Sequence, residues 1–163
     1  MIKKVLIAFA IASFVNATSA MAIIRTYEFT MDGLQENPPV ATPATGDCTV
    51  TLDDVSFEVN VSCTFSDLIG TANNAHIHGL APVGMNAGVI LGLNFTPATS
   101  GTVTGNGFIS AAQAQGMIDG LTYVNLHSTF RPGGEIRGQI VPEPTSLMML
   151  GLGSVLVMRR RRR

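Results

Sequence analysis

Between Cys48 and Phe65 the chain alternates apolar and polar residues almost without a break. Cys48, Val50 and Leu52 stand two apart; beyond Asp53-Asp54, Val55, Phe57, Val59, Val61, Cys63 and Phe65 do the same, with polar residues between them. Successive side chains on a strand point to opposite faces, so this pattern makes one apolar and one wet face. It predicts an antiparallel hairpin that must bury its apolar face against further strands. Asp53-Asp54 reads as the turn, with solvated carboxylates.

The remaining strand signals follow at short intervals. Tyr27–Met31 alternates, and strands are expected at Ala75–His78, Gly88–Leu93, Gly101–Phe108, Leu121–Ser128 and Glu135–Val141. Turn residues cluster between them, at Asn37-Pro38-Pro39, Pro82 to Gly84, Gly105-Asn106-Gly107 and Pro132-Gly133-Gly134. One short helix is expected over Ala111 to Asp119, opened by a Ser110/Gln113 capping box and closed by Gly120. The predicted class is all-β: an antiparallel Greek-key β-sandwich or flattened barrel with one short helix. No internal repeat is evident.

Both ends of the chain read as processing segments. Residues 1–22 carry Lys3 and Lys4, an apolar core from Val5 to Val15, and Ala20-Met21-Ala22, the layout of a secretory signal peptide. Cleavage by signal peptidase is expected after Ala22, with Ala20 as the alternative. Residues 142–163 carry Pro142-Glu143-Pro144-Thr145-Ser146, an apolar segment from Leu147 to Met158 and five arginines, Arg159 to Arg163. Motif, greasy segment and basic stop in that order resemble the PEP-CTERM sorting signal of Gram-negative bacteria. The resemblance implies that Pro142, Glu143 and Pro144 are read by an exosortase in the inner membrane. The apolar segment would make about 18 Å of helix against a hydrocarbon core of roughly 30 Å, so it is short for its family. The arginine block should stay cytoplasmic, which puts the preceding domain outside. The expected route is export, transient inner-membrane anchoring, then the cell surface or the extracellular space.

The domain between these segments, residues 23–141, is acidic. Three arginines (Arg25, Arg131, Arg137) face ten carboxylates, a net charge of −7, and no lysine is present. Phosphate neutralisation needs clustered Lys or Arg, so a nucleic-acid partner is excluded. Such a domain repels anionic surfaces and attracts cations.

Cys48 and Cys63 lie on consecutive strands of an exported chain, each on the apolar face, and suggest a disulfide. They fall opposite one another if Leu52 pairs with Val59; a tighter turn would set them on a diagonal. Two buried free thiols are the alternative. Their spacing does not resemble a zinc knuckle.

The chain has three histidines. Ala75-His76-Ile77-His78-Gly79 places His76 and His78 on one face of a strand, with Ile77 on the other. On Leu121–Ser128, Val124 and Leu126 mark the core face, so Tyr123, Asn125 and His127 share the opposite one. Two imidazoles at i and i+2, with a third from a neighbouring strand, could hold copper or zinc. The competing reading is a hydrogen-bonded pair that fixes the loop from Gly79 to Gly88.

Several motifs in order resemble the CHRD (chordin) domain: Gln35-Glu36-Asn37-Pro38-Pro39-Val40, Thr45-Gly46, Ala75-His76-Ile77-His78-Gly79-Leu80-Ala81-Pro82, Tyr123-Val124-Asn125-Leu126-His127-Ser128 and Pro132-Gly133-Gly134-Glu135-Ile136-Arg137-Gly138-Gln139-Ile140. The resemblance implies an exported β-domain without a defined activity. The His-x-His strand, the late strand ending in His and the Gly-x-Ile close are also distantly similar to copper–zinc superoxide dismutase. That similarity implies copper-ligand places for His76, His78 and His127. It also leaves the bridging and zinc-site histidines without counterparts and puts Gly134 where that family has its catalytic arginine. At most, this similarity implies a copper-binding descendant of the fold without dismutase turnover.

No catalytic residue is assigned. No Gly-x-Ser-x-Gly elbow or phosphate loop occurs, and nothing sets two carboxylates across a cleft. Glu135 and Arg137 are expected on the polar face of the last strand, as an exposed pair with each other or with the neighbouring strand. The leading expectation is a non-enzymatic adhesion or scaffold protein of the cell envelope or matrix, with exopolysaccharide as a candidate partner. Copper or zinc binding through His76, His78 and His127 is the alternative.

Overall fold

The computed structural model describes residues 21–142. The expectations for Ala20, for Glu143 and Pro144, and for the two apolar segments lie outside the described residues, whereas Ala22 and Pro142 are irregular and exposed.

Nine strands form a single antiparallel sheet that curls into a flattened barrel. The first three, β1 (Ile24–Asp32), β2 (Thr45–Asp53) and β3 (Glu58–Ser66), make a meander. The next are β4 (Ala72–Gly79), β5 (Val89–Gly92), β6 (Asn94–Phe95) and β7 (Gly101–Phe108). Helix α1 (Ala111–Ile118) leads to β8 (Thr122–Ser128) and β9 (Ile136–Ile140). The spatial order β5-β4-β8-β9-β1-β2-β3-β7-β6 needs crossovers after β3 and after β7, as the predicted Greek key requires. The list begins with β5 and ends with β6, yet only Leu93 separates these two in the chain. Its N–H donates to Ala75 O at 2.9 Å, so the segment 89–95 runs from the edge of β4 to the edge of β7 and closes the cylinder.

The alternation read from the sequence fills the interior. Met31, Val50, Leu52, Val59, Val103, Ala75, Ile77, Val124, Leu126, Ile136 and Ile140 are all fully buried. Leu52 pairs with Val59, Cys48 falls opposite Cys63, and the two cysteines form the disulfide. Around them the outer face of β1, β2, β3 and β7 carries Thr, Ser, Asn and acids in register, such as Glu28–Thr49–Ser62–Thr104. The helix has its Ser110/Gln113 capping box, and Gly120 closes it at φ +74°.

One strand expectation is corrected. Val55 and Phe57 do not continue the strand. The Asp53 carboxylate accepts from Val55 N and Ser56 N, Phe57 N donates back to Asp53 O, and Phe57 turns through φ 61°. A side-chain turn therefore overrides the apolar periodicity, and Val55 is exposed. The strand expected at Gly88–Leu93 is β5; the chain changes partners at Leu93, and β6 follows beyond it. A 3-10 turn at Gly33–Gln35, not anticipated, is capped by the Asp32 carboxylate, which accepts from Leu34 N and Gln35 N.

Candidate metal centre

The site is built on the outer face of three adjacent strands. The β4/β8 register sets Asn74 beside His127, His76 beside Asn125 and His78 beside Tyr123. The β8/β9 register continues two of these rows, from Asn125 to Arg137 and from Tyr123 to Gln139. Paired residues share a face, so a polar lattice forms on the outside of the wall whose inner face is Ala75, Ile77, Val124 and Leu126. The expected face division of β8 therefore holds. The lattice is nevertheless covered, because every residue of β8 and β9 is buried.

The cover consists of loops. The segment between β4 and β5 lies over His78 and Tyr123, where His78 Nδ1 donates to Ala87 O at 3.0 Å and Tyr123 Oη accepts from Ala87 N at 3.1 Å. The turn before β9 lies over His127, whose Nδ1 donates to Pro132 O at 2.9 Å. A carbonyl can only accept, so both rings carry their proton on Nδ1 and present an Nε2 lone pair. His76 Nδ1 lies 3.2 Å from His127 Nε2. His78 Nε2 is buried and has no hydrogen-bond partner. One ligand atom from each ring lies within 4.8 Å of the others.

The structure thus brings together all three histidines, which the sequence could place only on matching faces. His78 and His127 each keep 9 % of their surface, and His76 is half-buried. Burial pulls all three below the ordinary imidazole value, and the neighbouring rings add to this at His76 and His78. They are neutral at neutral pH and can donate lone pairs. The donor set fits a metal ion: three neutral nitrogens, two of the rings oriented by backbone carbonyls, and one buried ring nitrogen left without a partner. The 3.2 Å edge suits two nitrogens bound to one ion at about 2.0–2.1 Å each. Without an ion, His76 Nδ1–H donates to His127 Nε2. Binding would require His76 to move its proton to Nε2, the only tautomer change in the set.

The loops also bring charged groups that the sequence reading did not join to the site. Arg137 is 1 % exposed, and its guanidinium lies 3.4 Å from the centroid of the Tyr123 ring. Tyr123 in turn stacks on His78 at 5.0 Å, with the rings 5° from parallel. Glu36 is buried close to Arg137, and burial pushes its carboxyl up to about 7 despite the attraction of Arg137. Glu36 Oε1 and Asn125 Oδ1 are both buried without partners. They flank Gly134, where an added Cβ would meet them at 2.6 and 2.5 Å. Glu36 and Gly134 both line a cavity of about 260 Å³. The signal that could have found Glu36 was its place in the Gln35–Val40 motif.

Glu135 and Arg137 are not an exposed pair. Glu135 is fully buried and turns away toward another loop, where it accepts from Ser128 Oγ, from Thr42 Oγ1 and Ile69 N at 2.7 Å, and from Gly70 N at 3.3 Å. Arg137 donates to Met85 O and Asn86 Oδ1 and to Gln139 Oε1. The intervening Ile136 faces the core, and the loops on either side of β9 claim the two charges separately.

Fold and site together define an antiparallel barrel protein with a loop-covered polar face. A CHRD-domain model matches residues 27–140, and a PEP-CTERM protein-sorting motif matches residues 141–163. The chain belongs to the CHRD-domain family. Its C-terminal motif marks it for export, exosortase processing and sorting to the cell surface. No curated protein and no solved structure matched the chain. Among the described residues, no helix is long and apolar enough to cross a membrane.

Proposed function

We propose that this protein is a non-enzymatic surface or matrix component whose barrel binds one copper or zinc ion through His76 Nδ1, His78 Nε2 and His127 Nε2. The observation that carries the reading is the convergence of one nitrogen from each of the three rings within 4.8 Å, with His78 Nε2 buried and unpartnered. Leaving such an atom without a partner costs about 1–3 kcal/mol, which a bound ion would offset. The bound metal would supply Lewis acidity or redox capacity; the chain supplies a preset donor geometry and partial exclusion of water. The hydrogen bond from His78 to Ala87 O also fits the structural role of fixing the loop, and both roles use the same tautomer.

An adhesive or scaffolding role rests on different support. The sorting signal delivers a disulfide-clipped domain to the cell surface, and its β1-β2-β3-β7 face is wet and rich in hydroxyl groups. Such a surface suits the hydrogen-bonding groups of an exopolysaccharide.

The deciding experiment is metal analysis of the full chain after loading with Cu(II) or Zn(II) and desalting, beside a His76→Ala/His127→Ala variant. One equivalent retained by the parent and lost in the variant supports the metal site. Equal retention by both defeats it and leaves the histidines as structural residues.

A further inference from the structure

We infer that the three-histidine centre selects monovalent over divalent metal, and that Arg137 is the positioning residue that sets this preference. The inference rests on the metal-binding reading above. Tyr123 stands on β8 between the strands that carry His78 and Arg137, with His78 stacked at 5.0 Å and the guanidinium at 3.4 Å. Arg137 is buried and forms no ion pair among the described residues; its partners are Met85 O, Asn86, and Gln139. A full positive charge is therefore held beside the site, and its nearest acid, Glu36, is buried and unpaired.

The ligand set has no negative charge to set against it. All three donors are neutral imidazoles. The two oriented rings donate to carbonyls, Ala87 O and Pro132 O, rather than to the carboxylates that commonly back zinc-binding histidines. Each added unit of positive charge on the ion is thus opposed by Arg137, which Glu36, its carboxyl raised to about 7 by burial, offsets only in part at neutral pH. Across the Tyr123 ring, which lies 3.4 Å from the guanidinium and 5.0 Å from His78, and at an effective dielectric near 20, one such charge disfavours each further unit on the metal on the order of tenfold. Cu(I) and Zn(II) are both closed-shell ions, so the ratio of their affinities at this site isolates charge and coordination number from ligand-field effects. Three nitrogens, with no fourth side-chain ligand in the cluster, favour the ion that accepts three ligands.

The test is competitive titration of the full chain with Cu(I), under anaerobic conditions, and with Zn(II), for the parent, Arg137→Gln and Arg137→Lys. The expected result is a Cu(I)/Zn(II) affinity ratio that falls about tenfold in Arg137→Gln and is restored in Arg137→Lys. That fall corresponds to about 59 mV lost from the potential of a one-electron copper couple. An unchanged ratio in a folded Arg137→Gln protein overturns the inference while leaving the site intact. Should Arg137→Gln not fold, the parent protein decides: its copper potential must lie above that of a three-imidazole copper complex in free solution, and a value at or below it overturns the inference. Failure of both ions to bind the parent would instead overturn the metal reading itself.

Discussion

His76 Nδ1 lies 3.2 Å from His127 Nε2, although 51 residues separate them in the chain. The contact exists because β8 inserts beside β4 after the β7–α1 crossover, with His76 one row from His127 on the shared face. The same crossover makes the site depend on the integrity of the barrel.

The Cys48–Cys63 bridge closes a loop with a sequence separation of 15. In the chain-entropy account a loop of that size contributes about 3 kcal/mol. Cys48→Ala/Cys63→Ala should therefore lower unfolding stability by about 3 kcal/mol in urea titration, and the melting temperature by roughly 10 °C. The parent under reducing conditions should fall to the level of the variant.

Glu135 holds three segments together through Thr42, Ser128 and the Ile69–Gly70 backbone. Although desolvation opposes ionisation, the hydrogen bonds win and hold its carboxyl below the usual value of 4.5. A depressed acid stabilises the fold above its unfolded value and loses that contribution as pH falls through the folded value. Glu135→Ala should cost about 4 kcal/mol at neutral pH, by denaturant titration, because it strands several buried donors. The gap to the parent should narrow below pH 4.5, where the parent's carboxylate begins to protonate.

Glu36 behaves in the opposite sense. Its carboxyl is raised from 4.5 to about 7 by burial, so the folded state keeps a proton that the unfolded chain releases. Its contribution is complete below 4.5 and is lost as pH rises through about 7. Relative to Glu36→Gln, the parent should lose about 3 kcal/mol of stability between mildly acidic and mildly alkaline pH. Parallel stability curves for the two proteins would contradict this.

The sorting motif at residues 141–163 makes a separate prediction about destination. Deleting Pro142–Arg163 should leave the barrel folded and move the protein from the surface-associated fraction to the soluble exported fraction. Immunoblotting of fractionated cells checks this; an unchanged distribution would count against sorting by the motif.

Several features of this protein follow from local order in the sequence alone. Period-2 alternation specifies which side chains enter the barrel, since a strand has only two faces. It therefore puts Cys48 and Cys63 on one apolar face and His76 and His78 on one shared face, while the β2/β3 register completes the disulfide. The capping box and Gly120 determine α1, because their hydrogen bonds close within a few residues. The C-terminal sorting signal is a linear motif, so its recognition in the sequence needs no fold. The alternation misled at Val55 and Phe57, where the Asp53 carboxylate offered the backbone a nearer partner. What tertiary structure alone decided was strand order, and with it the meeting of His127 with His76 and His78. It also decided which loops cover the lattice. An outward-facing polar row looks solvated until distant segments close over it. Their carbonyls then orient the imidazoles, and their burial of Arg137, Glu36 and Glu135 turns surface charges into internal ones. Burial of that kind depends on contacts between residues far apart in the chain, which no local pattern specifies.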